Sequence, residues 1–156
     1  MPALDRLDSL FIVVAFLFQI ALIIHFALRR WAFNTALRYG PIVYALALPA
    51  IALSLAQINA GKPWYLWLAG LLYAGWAIFG YYAEYVRHIE WRSPINWSVF
   101  VPYVTLYLAT IMFYWWPLGL WSRPLWFIYA ALFAVATVLN IISHHRPDKT
   151  LRMSSG

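Results

Sequence analysis

Five long stretches of this chain carry no formal charge, and that partition limits the fold more than any motif does. They run Ser9–Leu28, Pro41–Ile58, Trp64–Ala83, Trp97–Trp116 and Pro124–Ser143, each 18 to 20 residues long. Every Asp, Glu, Lys and Arg falls outside them. A helix of about 20 residues crosses the roughly 30 Å hydrocarbon layer of a bilayer. Inside that layer backbone N–H and C=O groups must pair within the segment, so such runs are read as helices. The expected fold is an all-α integral membrane protein with five transmembrane helices. Composition agrees: 65% of the 156 residues are hydrophobic and 10% charged, against about 25% charged in a soluble domain. A soluble chain this short has no interior large enough to hide so much apolar surface.

Residues 1–146 are expected to form a single five-helix bundle, and 147–156 a flexible polar tail. The closing Ser154-Ser155-Gly156 reads as a tag remnant and is left out of functional reasoning. The first run is too long for a signal peptide, and its basic residues, Arg29 and Arg30, follow it instead of preceding it. Pro41, Pro63, Pro94 and Pro124 stand at or just before the expected starts of helices two to five, where a missing N–H costs nothing. Ser93 is the candidate cap of helix four. Pro49 and Pro102 lie inside helices two and four and are expected to bend them. Gly70, Gly75 and Gly80 recur every five residues in helix three, a spacing that suits separate close approaches better than a dimer stripe.

Charge sets the expected orientation. Arg6, Lys62 and Arg123 lie on one side; Arg29, Arg30, Arg38, Arg87, Arg92, Arg146, Lys149 and Arg152 lie on the other. The richer side is cytoplasmic by the positive-inside rule, so the N-terminus is outside and the C-terminus inside. Asn59–Pro63 and Pro117–Arg123 are then short external loops, and Arg29–Gly40 and Glu84–Asn96 longer internal ones. Tryptophan placement agrees: nine of ten sit near an expected interface, and Trp76 alone is mid-span. The net charge of +6 does not imply nucleic acid, because the basic residues are scattered at helix ends. With no Cys, thiolate catalysis and thiolate metal sites are excluded.

Two hairpins show matching punctuation. Arg38–His88 and Arg92–Arg146 each carry Pro-Ile, a second Pro eight residues later, and a second helix opened by a basic residue and Pro. One helix plus two repeated hairpins is the alternative to chance matching.

Polar chemistry concentrates at the expected cytoplasmic end. Ala77, Tyr81, Glu84 and His88 share a helical stripe, with Arg87 beside it. Thr137, Asn140 and His144 make a second stripe, and His25 lies one turn before Arg29. Glu84 and His88 are the candidate catalytic pair if the protein is an enzyme. His25, Tyr81, Arg87, Arg92, Asn140 and His144 are the candidate ligand-binding residues, with His145 beside them. The plain alternative is that these groups meet headgroups and water, as charged residues near helix ends do. No metal is expected: His144 and His145 are adjacent, and no His-x-x-His spacing occurs. No cofactor is required, although haem held by His25 and a second helix is an alternative.

In length, span number and tryptophan content the chain resembles the translocator-protein (tryptophan-rich sensory protein) family. It departs from that family's Trp/Pro-rich first loop, because Arg29–Gly40 has one Trp and no internal Pro. No residue role is carried over. The leading expectation is a multi-pass cell-membrane protein that binds an apolar, lipid-like small molecule toward the cytoplasmic leaflet, where aromatic walls with a few polar handles suit such ligands. A membrane enzyme acting on a lipid or isoprenoid is the first alternative. An accessory subunit or haem-binding anchor of a larger membrane complex is the second, and a homo-oligomer is compatible with each.

Overall fold

The computed structural model describes residues 4–89 and 94–144, and for His144 the backbone only. The described chain is helical: α1 Arg6–Trp31, α2 Phe33–Ala45, α3 Ala47–Asn59, α4 Trp64–Tyr81, a π-helical turn Tyr82–Val86, α5 Trp97–Trp121 and α6 Arg123–His144. Five segments are long and apolar enough to cross a membrane, with α2 and α3 together forming the second and the π turn extending the third. The five-span expectation therefore holds.

Several boundaries differ from expectation. Helix two begins at Phe33 and carries Pro41 inside it, so the loop foreseen over Arg29–Gly40 shrinks to Ala32 between α1 and α2. The loop foreseen over Pro117–Arg123 shrinks to Ser122, because α5 continues through Pro117 to Trp121. Polar residues such as Asn34 and Arg38 mark a membrane boundary but do not end a helix, since helix ends follow backbone pairing and not hydropathy. Helix four starts at Trp97 with Asn96 as its cap residue, and the expected cap Ser93 lies outside the described residues, as does the 147–156 tail.

Pro49 interrupts its span. Its missing N–H leaves the Ala45 carbonyl without a helical donor, and the chain breaks at Leu46 between α2 and α3. Beside the break, the buried Tyr73 hydroxyl donates to the Val43 carbonyl. By contrast α5 runs through Pro102 uninterrupted. The proline-bearing span of the first hairpin is thus broken, and that of the second is not.

The helices pack in chain order, and α6 closes back on α1. Short connections favour such antiparallel neighbours. On α1, Phe11, Ala15, Phe18 and Leu22 form the buried face, while Leu10, Val13, Leu17 and Ile24 point outward. The outward face is as apolar as the inward one, as lipid exposure requires. Small residues set the closest approach: Gly70 of α4 lies against Ala50 and Ser54 of α3. Aromatic rings fill the centre, with Phe18 in contact with Tyr73, Trp76 and Tyr114.

One end of the bundle is fastened by ions. Asp5 and Asp8 cap α1 reciprocally: the Asp8 amide donates to Asp5 Oδ1 at 2.9 Å and the Asp5 amide to Asp8 Oδ2 at 3.2 Å. At the end of α3, Gly61 adopts φ +66 and the Lys62 amide reaches back to the Gln57 carbonyl at 2.9 Å, a Schellman closure. That turn delivers Lys62 Nζ to Asp5 at 2.6 Å and to Asp8 at 2.8 Å.

Candidate binding site

At the opposite end, four elements converge on Glu84. The π turn that carries it is closed by the Arg87 amide donating to the Tyr82 carbonyl at 2.9 Å. Its wider ring re-aims the residues that follow relative to an α-helix, and such turns recur at functional sites. Tyr44 of α2 donates its hydroxyl to Glu84 Oε2 at 3.0 Å, and the pair is partly buried. Tyr103 of α5 also interacts with Tyr44. Both tyrosines lie over Gly80, where an added Cβ would stand 2.8 Å from Tyr44 Cε1 and 3.0 Å from Tyr103 Cε2. Gly80 therefore lets the rings of α2 and α5 meet beneath the carboxylate.

A second close approach brings in α1. A Cβ at the buried Gly40 would collide with the Tyr85 hydroxyl and lie 3.4 Å from His25 Cε1. His25 and Tyr85 thus close on the same point of α2. Tyr81 stacks on Tyr85 with centroids 5.3 Å apart and planes at 18°, and both meet the Tyr44 ring nearly at right angles. Trp76 underlies the group, in ring contact with Tyr44 at 5.2 Å and Tyr103 at 5.6 Å. The result is a half-buried carboxylate in an aromatic shell, with Arg29 and Arg30 half-buried at the adjoining end of α1.

Three of the residues expected to converge do so: His25, Tyr81 and Glu84. The stripe does not extend to His88. The helix has ended there, His88 adopts φ 47, and its side chain is exposed. The left-handed residue turns the chain so that the Ile89 amide reaches the Ala83 carbonyl at 2.9 Å. Histidine is among the residues that adopt this region most readily. The helical spacing that suggested a Glu84–His88 acid–base pair is therefore absent. Arg87 is likewise exposed. Asn140 is half-buried on α6, and its backbone carbonyl accepts from the Ser143 hydroxyl at 2.7 Å. His144 ends α6, and Arg92 and His145 lie outside the described residues. Among the described residues, no group of three or more His, Cys, Asp or Glu is placed to hold a metal ion.

Tyr44 and Gly40 are not among the site residues expected from the sequence. Tyr44 lies 40 residues from Glu84, and no local spacing links them. A carboxylate with a tyrosine donor offers further lone pairs to hydroxyl or amine donors, and the rings offer flat apolar contact. The chain matches no family model, no curated protein and no solved structure.

Proposed function

We propose that this multi-pass membrane protein binds a lipid-like molecule at the Glu84 end of the bundle. The Tyr44–Glu84 pair engages the molecule's polar end, and the Tyr81–Tyr85 stack lines its apolar part. The observation that carries the reading is the Tyr44 hydroxyl on a half-buried carboxylate, inside an aromatic shell, on a π turn. Ionisable groups at membrane depth are expensive and are functional candidates for that reason. The Lys/Arg asymmetry between the two ends orients this one toward the cytoplasm, which makes inner-leaflet lipid the nearest source of ligand. Arg29, Arg30 and Arg87 around the rim suit an anionic headgroup.

The test is solvent extraction and mass spectrometry of protein purified in mild detergent. A molecule enriched over bulk lipid at near one per chain is expected with the wild type. It should be lost from Glu84→Gln and Tyr44→Phe and kept by Lys62→Met, at the far end. No enriched molecule, or full retention in both site variants, refutes the proposal.

A further inference from the structure

The middle of the bundle holds a second polar group that the Glu84 site does not use. Both amide atoms of Gln19 and the hydroxyls of Tyr107 and Tyr129 are buried with no hydrogen-bond partner in the protein. Their residues are 0%, 9% and 0% exposed. They come from α1, α5 and α6, which pack on one another. Tyr129 stands edge-on to Phe16, one turn before Gln19, at 5.7 Å, and lies within electrostatic reach of Tyr107 and Tyr114. Tyr114 packs on Phe11 and Phe18, and Trp76 links Phe18 to Tyr107. These contacts tie Tyr107 and Tyr129 to each other and to the stretch of α1 that carries Gln19.

The Gln57 amide and the Trp76 indole N–H are also buried without a partner, whereas three hydroxyls in the apolar spans are satisfied within the fold. Thr110 donates to Leu106 at 2.7 Å, Thr137 to Phe133 at 2.8 Å and Ser54 to Ala50 at 3.0 Å. Stranded polar groups in hydrocarbon are strongly unfavourable, so three of them on helices packed against one another mark a place for a guest. The guest is neutral, since the only Asp, Glu, Lys, Arg or His among the buried residues described is Asp8, at the start of α1. It both donates and accepts, because a primary amide and two phenols present both roles.

We infer that Gln19, Tyr107 and Tyr129 form a mid-membrane site for a neutral hydroxyl- or carbonyl-bearing guest, supplied by water or by the polar end of an apolar molecule. The site shares no residue with the Glu84 proposal and stands or falls separately.

Gln19→Met and Tyr129→Phe, made singly in the full-length protein in nanodiscs, test it. Each keeps the shape of the side chain, so folding is retained. An occupied site loses a partner, and Tm should fall by about 3 °C or more. A dry site is relieved of a stranded group, so an unchanged or raised Tm in both variants overturns the inference. Water-edited solid-state NMR reads the source: rapid magnetisation transfer from water to the Gln19 side-chain amide identifies water. A co-extracted molecule that is lost in Gln19→Met but kept in Glu84→Gln identifies an organic guest. If neither signal is found, the inference fails whatever the Tm.

Discussion

Replacing Gly70 by Ala tests the packing that holds the bundle together. An added Cβ would stand 2.5 Å from the Ala50 carbonyl oxygen and 3.1 Å from its carbon, and would collide with the Ser54 hydroxyl. The first two are backbone atoms of α3 and have no rotamer to change. The Ser54 hydroxyl can turn, but only by giving up its 3.0 Å bond to Ala50. Overpacking of this kind costs roughly 1–3 kcal/mol, and a backbone clash belongs near 3. Against it stands the intrinsic preference for Ala over Gly in a helix, about 1 kcal/mol. The net expectation is a loss of about 2 kcal/mol. Gly75 on the same helix is the control: its added Cβ would meet only Leu106 Cδ2, at 3.7 Å, an ordinary contact. Gly75→Ala should therefore be neutral or stabilising by up to about 1 kcal/mol. Reversible unfolding in bicelles, followed by tryptophan fluorescence and circular dichroism, measures both. Equal stability of the two variants would refute the claim that α3 and α4 meet backbone to backbone at Gly70.

Tyr73→Phe strands the buried Val43 carbonyl beside the Leu46 break and should cost about 1–2 kcal/mol in the same assay, whereas Tyr39→Phe, at a 48% exposed residue, should cost nothing measurable. The ion triad sets a pH dependence. The Lys62 ammonium and the Asp8 amide hold Asp5 below its ordinary pKa of 3.8; burial opposes the charge on Lys62, yet its bonds to Asp5 and Asp8 hold it above its ordinary 10.5. The Asp5 contribution is complete above its unfolded pKa and is lost as pH falls through the lower folded value. The Lys62 contribution is complete below its unfolded pKa and is lost as pH rises through the higher folded value. A plot of Tm against pH should therefore be level from about pH 5 to 9 and fall at both extremes. Lys62→Met should flatten both limbs; limbs as steep as those of the wild type would exclude the triad as their source.

Span number was legible because lipid imposes one rule on every span: backbone pairing inside the segment and no stranded charge. Where spans end was less legible. Phe33–Gly40 is polar enough to resemble a loop, yet it is helical, because polarity reports depth in the membrane and not backbone conformation. The glycine reading held at Gly70 and Gly80, where neighbours leave no room for a Cβ, but not at Gly75. At the candidate site, depth along the helices is enough to put Glu84, His25 and Tyr81 at the same end of the bundle. His88 leaves the expected stripe because the π turn ends at Val86 and the left-handed His88 turns the chain away. Tyr44 could not be found this way, since its tie to Glu84 depends on how α2 packs on α4. The Asp5–Asp8–Lys62 triad left a faint signal: three of the chain's few charges on one predicted side.

The π turn makes the aim of Glu84 a matter of counting. An α-helix advances about 100° per residue, so a chain one residue shorter between Gly80 and Glu84 would point the same carboxyl at a different neighbour. Every residue type at this end of the bundle would be kept, and Tyr44 would no longer meet it. Relatives of this protein are therefore better judged for a shared site by the number of residues between Gly80 and Glu84 than by the presence of a glutamate.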